Sequence, residues 1–179
     1  MHKSKQLWMV AAPLVAALLA GSWACKKQKE EADQDRSAPL VSVLSMGDPR
    51  TSGQLLDGFW AVENHAWRWT KHSFSVVLQQ PPAATLKGAN LEFRFTLPDA
   101  VITRRKEVVL SVRVGGEALP PETYTAAGQY LYKADVPASA FQGKDPVSVF
   151  FTTDKFLAAG EVEGRELALI ARSVILMPK

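Results

Sequence analysis

The stretch Leu91–Leu97, with the sequence LEFRFTL, decides the fold class of this chain. Its apolar residues alternate strictly with the polar residues Glu92, Arg94 and Thr96. Because successive side chains of a strand point to opposite faces of the sheet, this period predicts a strand with one face in a core and one in water. The stretch therefore indicates a β-sheet protein.

Other segments with the composition of strands flank this stretch, and turns rich in Gly and Pro separate them. Gly115-Gly116 predicts a tight hairpin that requires positive φ angles. The last segment is apolar on both faces, and its Val174 and Ile175 favour a central strand over a helix. The predicted strands lie within Pro39–Met46, Ser73–Gln79, Leu91–Leu97, Glu107–Val114, Gln129–Val136, Val147–Thr153 and Glu166–Met177.

We expect three parts along the chain. Residues 1–24 are interpreted as a signal peptide, residues 25–48 as a flexible linker, and residues 49–179 as one β domain. Residues 26–36 carry four basic and four acidic side chains and almost no apolar ones. Such a segment cannot offset the entropic cost of ordering itself. About eight short strands in the last part predict an all-β fold, a single jelly-roll-like two-sheet β-sandwich.

The N-terminus indicates where the protein resides. Two lysines precede the uncharged run Leu7–Ala24, which ends at Cys25, the only cysteine of the chain. A basic region, an apolar segment and a small residue before the cut are typical of an export signal. Ordinary cleavage after Ala24 and an uncleaved membrane anchor are alternatives, since a run of 18 residues approaches the length of a spanning helix.

The residues before Cys25 resemble the lipobox of bacterial lipoproteins. The resemblance implies that Cys25 is lipidated and that membrane lipid is a partner of the protein. The domain would then be exported and anchored in the bacterial cell envelope, on its periplasmic or outer-surface face.

Composition and motifs exclude several classes of function. Without the two leader lysines, 19 basic residues face 18 acidic ones, so the charge gives no indication of nucleic acid binding. The sequence contains no nucleophile elbow, phosphate-binding glycine loop or HExxH motif, so we expect no catalytic residue and no cofactor. We interpret His65 and His72 as surface residues, not metal ligands, and Glu161 and Glu163 as loop residues, not a glycosidase pair.

Candidate binding residues concentrate in an aromatic segment that also contains Trp60. Trp67 and Trp69 are two residues apart, so they share a face of an extended strand, and Arg68 points the other way. One interpretation is a sugar platform, in which an indole stacks on a pyranose ring while Arg68 and Glu63 bind hydroxyl groups. The competing interpretation, which the usual burial of Trp favours, places the indoles in the core and pairs Arg68 with Glu63 or another acid.

Two charged positions near the C-terminus complete the set of candidates. Asp154 and Arg165 either line a polar site at one end of the sandwich or form ion pairs between a loop and the final strand. The ligand-binding candidates are therefore Glu63, Trp67, Arg68, Trp69, Asp154 and Arg165.

Five stretches carry a resemblance to a known domain: GFWAVENHAWRWTKHSFSVVL (58–78), VVLSVRVGGEAL (108–119), GQYLYKADVPASAF (128–141), VSVFFTTDKFL (147–157) and RELALIARSVILM (165–177). They are similar to a bacterial jelly-roll domain of envelope lipoproteins and of regions that accompany glycosyltransferases, a relative of galactose-binding-like sandwiches. The resemblance implies a non-catalytic protein that binds carbohydrate or assists envelope glycan processes. The alternative is a structural lipoprotein that contacts an envelope protein and has no small-molecule ligand.

Overall fold

The computed structural model describes residues 39–143 and 146–179. The predictions for the signal peptide, for Cys25 and for the charged segment 26–36 lie outside these ranges. No helix within the described ranges has the length and apolar character needed to cross a membrane.

The described residues form ten strands and two short helices. The strands are β1 (Val43–Ser45), β2 (Leu55–Glu63), β3 (Trp67–Leu78), β4 (Ala89–Leu97), β5 (Val108–Val114), β6 (Glu117–Ala118), β7 (Glu122–Tyr124), β8 (Gly128–Val136), β9 (Val147–Thr153) and β10 (Ile170–Pro178). The helices are α1 (Ala84–Lys87) and α2 (Asp99–Arg105), and 3-10 turns span Pro49–Gln54 and Ala138–Phe141.

The strands are arranged in two antiparallel layers. The first layer has the order β1-β10-β4-β8, and the second has the order β2-β3-β9-β5, with β6 and β7 both paired to β5. From β3 onward the long strands alternate between the layers, as they do in a jelly roll: β3, β5 and β9 lie in the second layer, and β4, β8 and β10 in the first. The predicted all-β sandwich is confirmed, with ten strands where about eight were expected.

Strand β3 belongs to both layers. Its residues Arg68 and Trp69 pair with β10 of the first layer, whereas its stretch 73–78 pairs with β9 of the second. Strand β2 pairs antiparallel with β3, and three register shifts interrupt this pairing. The aromatic segment therefore lies where the two layers meet.

The hydrophobic core lies between the layers. All four apolar residues of the stretch LEFRFTL are buried, which confirms the predicted orientation of β4. Phe93 of β4 reaches across to the second layer, where its ring centroid lies 4.7 Å from that of Phe151 and 5.7 Å from that of Phe74. Strand β4 is not hydrogen-bonded to β3 or β9, which carry Phe74 and Phe151, so these rings meet across the space between the two layers.

The expected boundary between linker and domain at residue 49 was wrong. Strand β1 pairs with β10 from Val43 to Ser45, and both Leu44 and Met46 are fully buried. The Gln54 side chain also holds the backbone of Val41, with its carbonyl accepting the Val41 N–H at 2.9 Å. The apolar composition of Pro39–Met46, which predicted a first strand, was the better guide.

The other strand predictions are confirmed within the bounds given above. Gly115 and Gly116 have φ angles of 57° and 101° and connect β5 to β6 as a tight hairpin. Strand β10 is central, between β4 on one side and β1 and β3 on the other. Its inner face is buried, but Ile175 and Met177 on its outer face are only partly so.

Candidate functional site

Trp60, Trp67 and Trp69 lie on the outer face of the sandwich. Phe59 and Thr70 are register partners, and the Phe59 ring packs on the core residue Phe74 at 5.4 Å. Phe59 therefore points inward, and its neighbour Trp60 points outward. By the same alternation Trp69, next to Thr70, also points outward, with Trp67 two residues before it. The contact between the Trp67 and Trp69 rings agrees with the predicted shared face of these two indoles.

The prediction that the tryptophans fill the core is met only in part, because all three are partly exposed and two of them pack against the core. Trp60 and Trp69 pack against the margin of the core, whereas Trp67 is not part of that packing. Instead Trp67 packs edge to face on Trp69, with ring centroids 6.4 Å apart and an angle of 79° between the planes. Alternation placed these residues on one face of the strand, but it did not identify that face as the outer one.

Charged side chains surround these indoles. Glu63 is the register partner of Trp67, and Arg165 lies 3.1 Å from the Glu63 carboxylate. Arg165 also pairs with Glu163, and its guanidinium lies 5.7 Å from the centroid of the Trp60 ring. The hydrogen bond from Arg165 to Glu163, with a further one to Glu63, raises the pKa of Arg165.

Lys71 completes the surface, with its Nζ 5.6 Å from the centroid of the Trp60 ring. The residues so assembled are Trp60, Glu63, Trp67, Trp69, Lys71 and Arg165, which we call the aromatic face. Sequence reasoning missed Lys71 and Glu163. The alternation in β3 could have identified Lys71, because it is two residues from Trp69, but no sequence signal placed the loop residue Glu163 beside Arg165 of this face.

Arg68 does not belong to the aromatic face. Its Nε donates to the Met46 carbonyl and its Nη1 to the Trp60 carbonyl, each at 3.1 Å. The predicted ion pair of Arg68 with Glu63 or another acid was wrong, since no carboxylate in the described ranges forms one with it. Arg68 points away from the indoles because it alternates with them on β3.

Asp154 lies at the end of β9 and is hydrogen-bonded to Val109, not to a residue of the aromatic face. Its Oδ1 accepts the Val109 N–H at 2.7 Å at the start of β5, and its own N–H donates to the Val109 carbonyl at 3.2 Å. The structure therefore does not bring Asp154 together with Arg165 by any contact. Asp154 joins the end of β9 to β5, whereas Arg165 ties the following loop to β2.

A second polar contact next to the aromatic face was also missed by the sequence reasoning. Glu166 Oε1 accepts the His72 N–H at 2.6 Å and lies 2.7 Å from His72 Nδ1. Burial opposes ionisation of Glu166, but the hydrogen bonds from His72 outweigh it and lower the pKa of Glu166. The Glu166 carbonyl accepts the Trp60 indole N–H at 2.8 Å, which fixes the orientation of that ring.

The aromatic face is suited to binding and carries no evident catalytic group. Glu63 and Arg165 of this face are engaged with each other, and Arg165 is also engaged with Glu163 of the neighbouring loop; none of the six side chains of the face carries a hydroxyl or thiol nucleophile. Within residues 39–143 and 146–179 no cluster of His, Cys, Asp or Glu could hold a metal ion. Partly exposed indoles beside fixed hydrogen-bonding groups can stack on the C–H face of a ring and bind its hydroxyl groups.

Comparisons with known proteins give general likenesses of architecture. No family model and no curated protein matches the sequence. Among solved structures, one match is the CBM36-1 domain of a multidomain xylanase from the hindgut metagenome of Trinervitermes trinervoides, at 11% identity and a TM-score of 0.41 over 76% of this chain and 96% of that one.

A second match is TmCBM27, a carbohydrate-binding module described for specific mannan recognition, at 7% identity and a TM-score of 0.48 over 79% of this chain and 98% of that one. A third, CBM51-2 with INT domains of Clostridium perfringens ZmpB, was solved in complex with GlcNAc; it has 13% identity and a TM-score of 0.34 over 78% and 29% of the two chains. Identities this low do not transfer a function.

Proposed function

We propose that this protein is an exported, lipid-anchored envelope protein whose β-sandwich binds carbohydrate at the aromatic face without catalysing a reaction. The observation that carries the proposal is the position of Trp67, which packs on Trp69 at the surface and not in the core. An indole that the fold does not need for its core is available to a ligand. Had all three tryptophans been buried, a structural lipoprotein without a small-molecule ligand would have been the better hypothesis.

The ion pairs give the face a fixed polar rim. Arg165 is held by Glu63 and Glu163, so its remaining N–H groups and the carboxylate oxygens keep one arrangement before a ligand arrives. Preorganised groups lower the entropic cost of binding. A pyranose ring stacked on Trp67 would therefore meet hydroxyl partners in Glu63 and Arg165.

A glycan array with the full-length protein in detergent tests the binding proposal. We expect retention of at least one glycan class, and about tenfold weaker retention by Trp67→Ala, as the loss of one aromatic contact predicts. The melting temperature of Trp67→Ala should match that of the wild type. Phe150→Ala is the matched control, because Phe150 is an aromatic side chain of β9 that is 48% exposed and lies outside the aromatic face.

Two results would contradict the binding proposal. One is an array on which no glycan is retained. The other is a stable Trp67→Ala variant that retains glycan as well as the wild type does.

Anchoring through Cys25 is a separate part of the proposal and needs its own measurement. The lone cysteine after an export signal supports it. Mass spectrometry of the mature protein should give an N-terminus at Cys25 that carries acyl groups, and Cys25→Ala should leave the membrane fraction. An intact leader, or a mature Cys25 without lipid, would contradict the anchor.

A further inference from the structure

A small pocket opens at the edge of the second layer, between β2 and the 3-10 turn Pro49–Gln54. Its volume is about 260 Å³, and its polar lining includes Asp57 and Arg68. Arg68 follows Trp67 on β3 and faces the other way, so this edge pocket and the aromatic face lie on opposite sides of the β2–β3 pair. The pocket is therefore a second, separate feature of the molecule.

Arg68 holds a fixed positive charge at this pocket. Its two hydrogen bonds to the Met46 and Trp60 carbonyls orient the guanidinium and use two of its five N–H groups. Partial burial lowers the pKa of Arg68, although an arginine stays charged in a protein. Partly buried charges are usually paired, yet no carboxylate of the described residues forms an ion pair with Arg68.

Asp57 brings the opposite charge to the same pocket. Its Oδ1 accepts the Gly58 N–H at 2.7 Å, and no ion pair joins its carboxylate to a cation within the described part of the chain. Two residues of opposite charge thus line one small cavity, and no ion pair joins them. A ligand that carries both charges would satisfy both groups.

We propose that the edge pocket binds a small zwitterion of the α-amino acid type, with its carboxylate on Arg68 and its ammonium group on Asp57. The planar end of a guanidinium matches a carboxylate with two parallel hydrogen bonds. A phosphate would meet the like charge of Asp57, and a simple carboxylate would leave Asp57 unpaired. The volume is below the roughly 300 Å³ from which pockets for drug-sized ligands begin, which suits an amino acid.

Calorimetric titration of the full-length protein in detergent tests the proposal, with L-alanine, acetate, methylammonium and inorganic phosphate as probes. L-Alanine should bind saturably and about tenfold more tightly than any of the other three, since only it can form both charge-assisted contacts. Asp57→Asn and Arg68→Lys should each weaken alanine binding about tenfold. Arg113→Lys is the matched control, because Arg113 is an exposed arginine of β5 that donates to the Gly116 carbonyl.

If Arg68→Lys fails to fold, Asp57→Asn still tests the proposal. This variant should fold, because its amide oxygen can accept the Gly58 N–H as the carboxylate does. No saturable binding of alanine would overturn the proposal, as would acetate or phosphate binding as tightly as alanine. So would unchanged alanine binding by a stable Asp57→Asn variant. The carbohydrate proposal is independent, since Asp57→Asn should retain glycan like the wild type.

Discussion

The backbone conformation and the close packing at position 58 require glycine. It has a φ of +81°, and a Cβ at this position would lie 2.1 Å from the Ser73 carbonyl oxygen and 2.6 Å from the Phe74 Cα. A side chain would therefore meet strand backbone, which cannot move aside cheaply. The irregular pairing of β2 with β3 depends on this glycine.

Gly58→Ala should destabilise the domain by more than about 1–3 kcal/mol, the usual cost of a strained backbone alone, because β3 must also shift. Denaturant unfolding measures the change in the free energy of unfolding. Gly164→Ala is the control, since no atom lies within 4 Å of a Cβ there and its φ is not positive. An equal and small effect at both positions would contradict the role of Gly58.

The candidate residues show what sequence can predict at this scale. Alternation correctly gave the shared face of Trp67 and Trp69 and the opposite direction of Arg68. It could not tell the outer face from the inner one, because bulky apolar side chains fit a core as well as a binding surface. Nor could it pair Arg165 with Glu63, since that contact of 3.1 Å joins residues 102 positions apart.

At the scale of elements, the strands that were predicted differ from the others in how regularly apolar and polar residues alternate along them. Strand β4 alternates throughout, and its direction was evident. Strand β2 places Leu55 and Leu56 side by side and is interrupted by Gly58, and its register with β3 shifts three times. Each shift turns the next side chains to the other face, so no period of two survives in its sequence. Helix α2 begins after Pro98 without a side-chain cap, which removed the usual signal for its start.

A cross-strand charge pair on the outer face of the first layer makes the contact between β4 and β8 sensitive to pH. Glu92 of β4 is only 8% exposed; it lies 2.7 Å from Lys133 of β8 and 3.3 Å from Arg94. The hydrogen bond from Lys133 lowers the pKa of Glu92, against the opposing effect of burial. A carboxyl group whose pKa is lowered on folding stabilises the protein above its unfolded pKa of about 4.3.

Glu92→Gln should therefore lower stability at neutral pH and change it little once the pH falls below the folded pKa of Glu92. Thermal melts from neutral to acidic pH measure the difference between variant and wild type, which should shrink steadily below about pH 4. Glu107→Gln is the control, because its pair with Lys155 is largely exposed and should matter less. A difference that stays constant with pH would argue against the charge pair.

For the whole molecule, β3 makes the two layers one cooperative unit. It hydrogen-bonds to β10 with one end and to β9 with the other, and Phe74 of the end paired with β9 packs on Phe93 of the opposite layer. Neither layer can lose β3 and keep its own pairing. The two layers should therefore unfold together.

A fragment of residues 39–179 should fold alone with the circular dichroism spectrum of a β protein. Its melt should be a single transition with the same midpoint by circular dichroism and by tryptophan fluorescence. Chelator and reductant should not change that midpoint. It contains no cysteine, and its described part has no metal-binding cluster. Two separate transitions, or unfolding by chelator, would contradict a single self-sufficient domain.

The neighbouring position of the first and last strands has a consequence for chain connectivity. Val43 is the register partner of Ile175, and the Leu176 N–H donates to the Ser42 carbonyl at 2.8 Å. The two ends of the domain therefore emerge side by side, and a short peptide could join Lys179 to Pro39. A circular permutant opened between Ala126 and Ala127, in the exposed turn before β8, should keep the same spectrum and melt. The fold should therefore not depend on which of its strands comes first in the sequence.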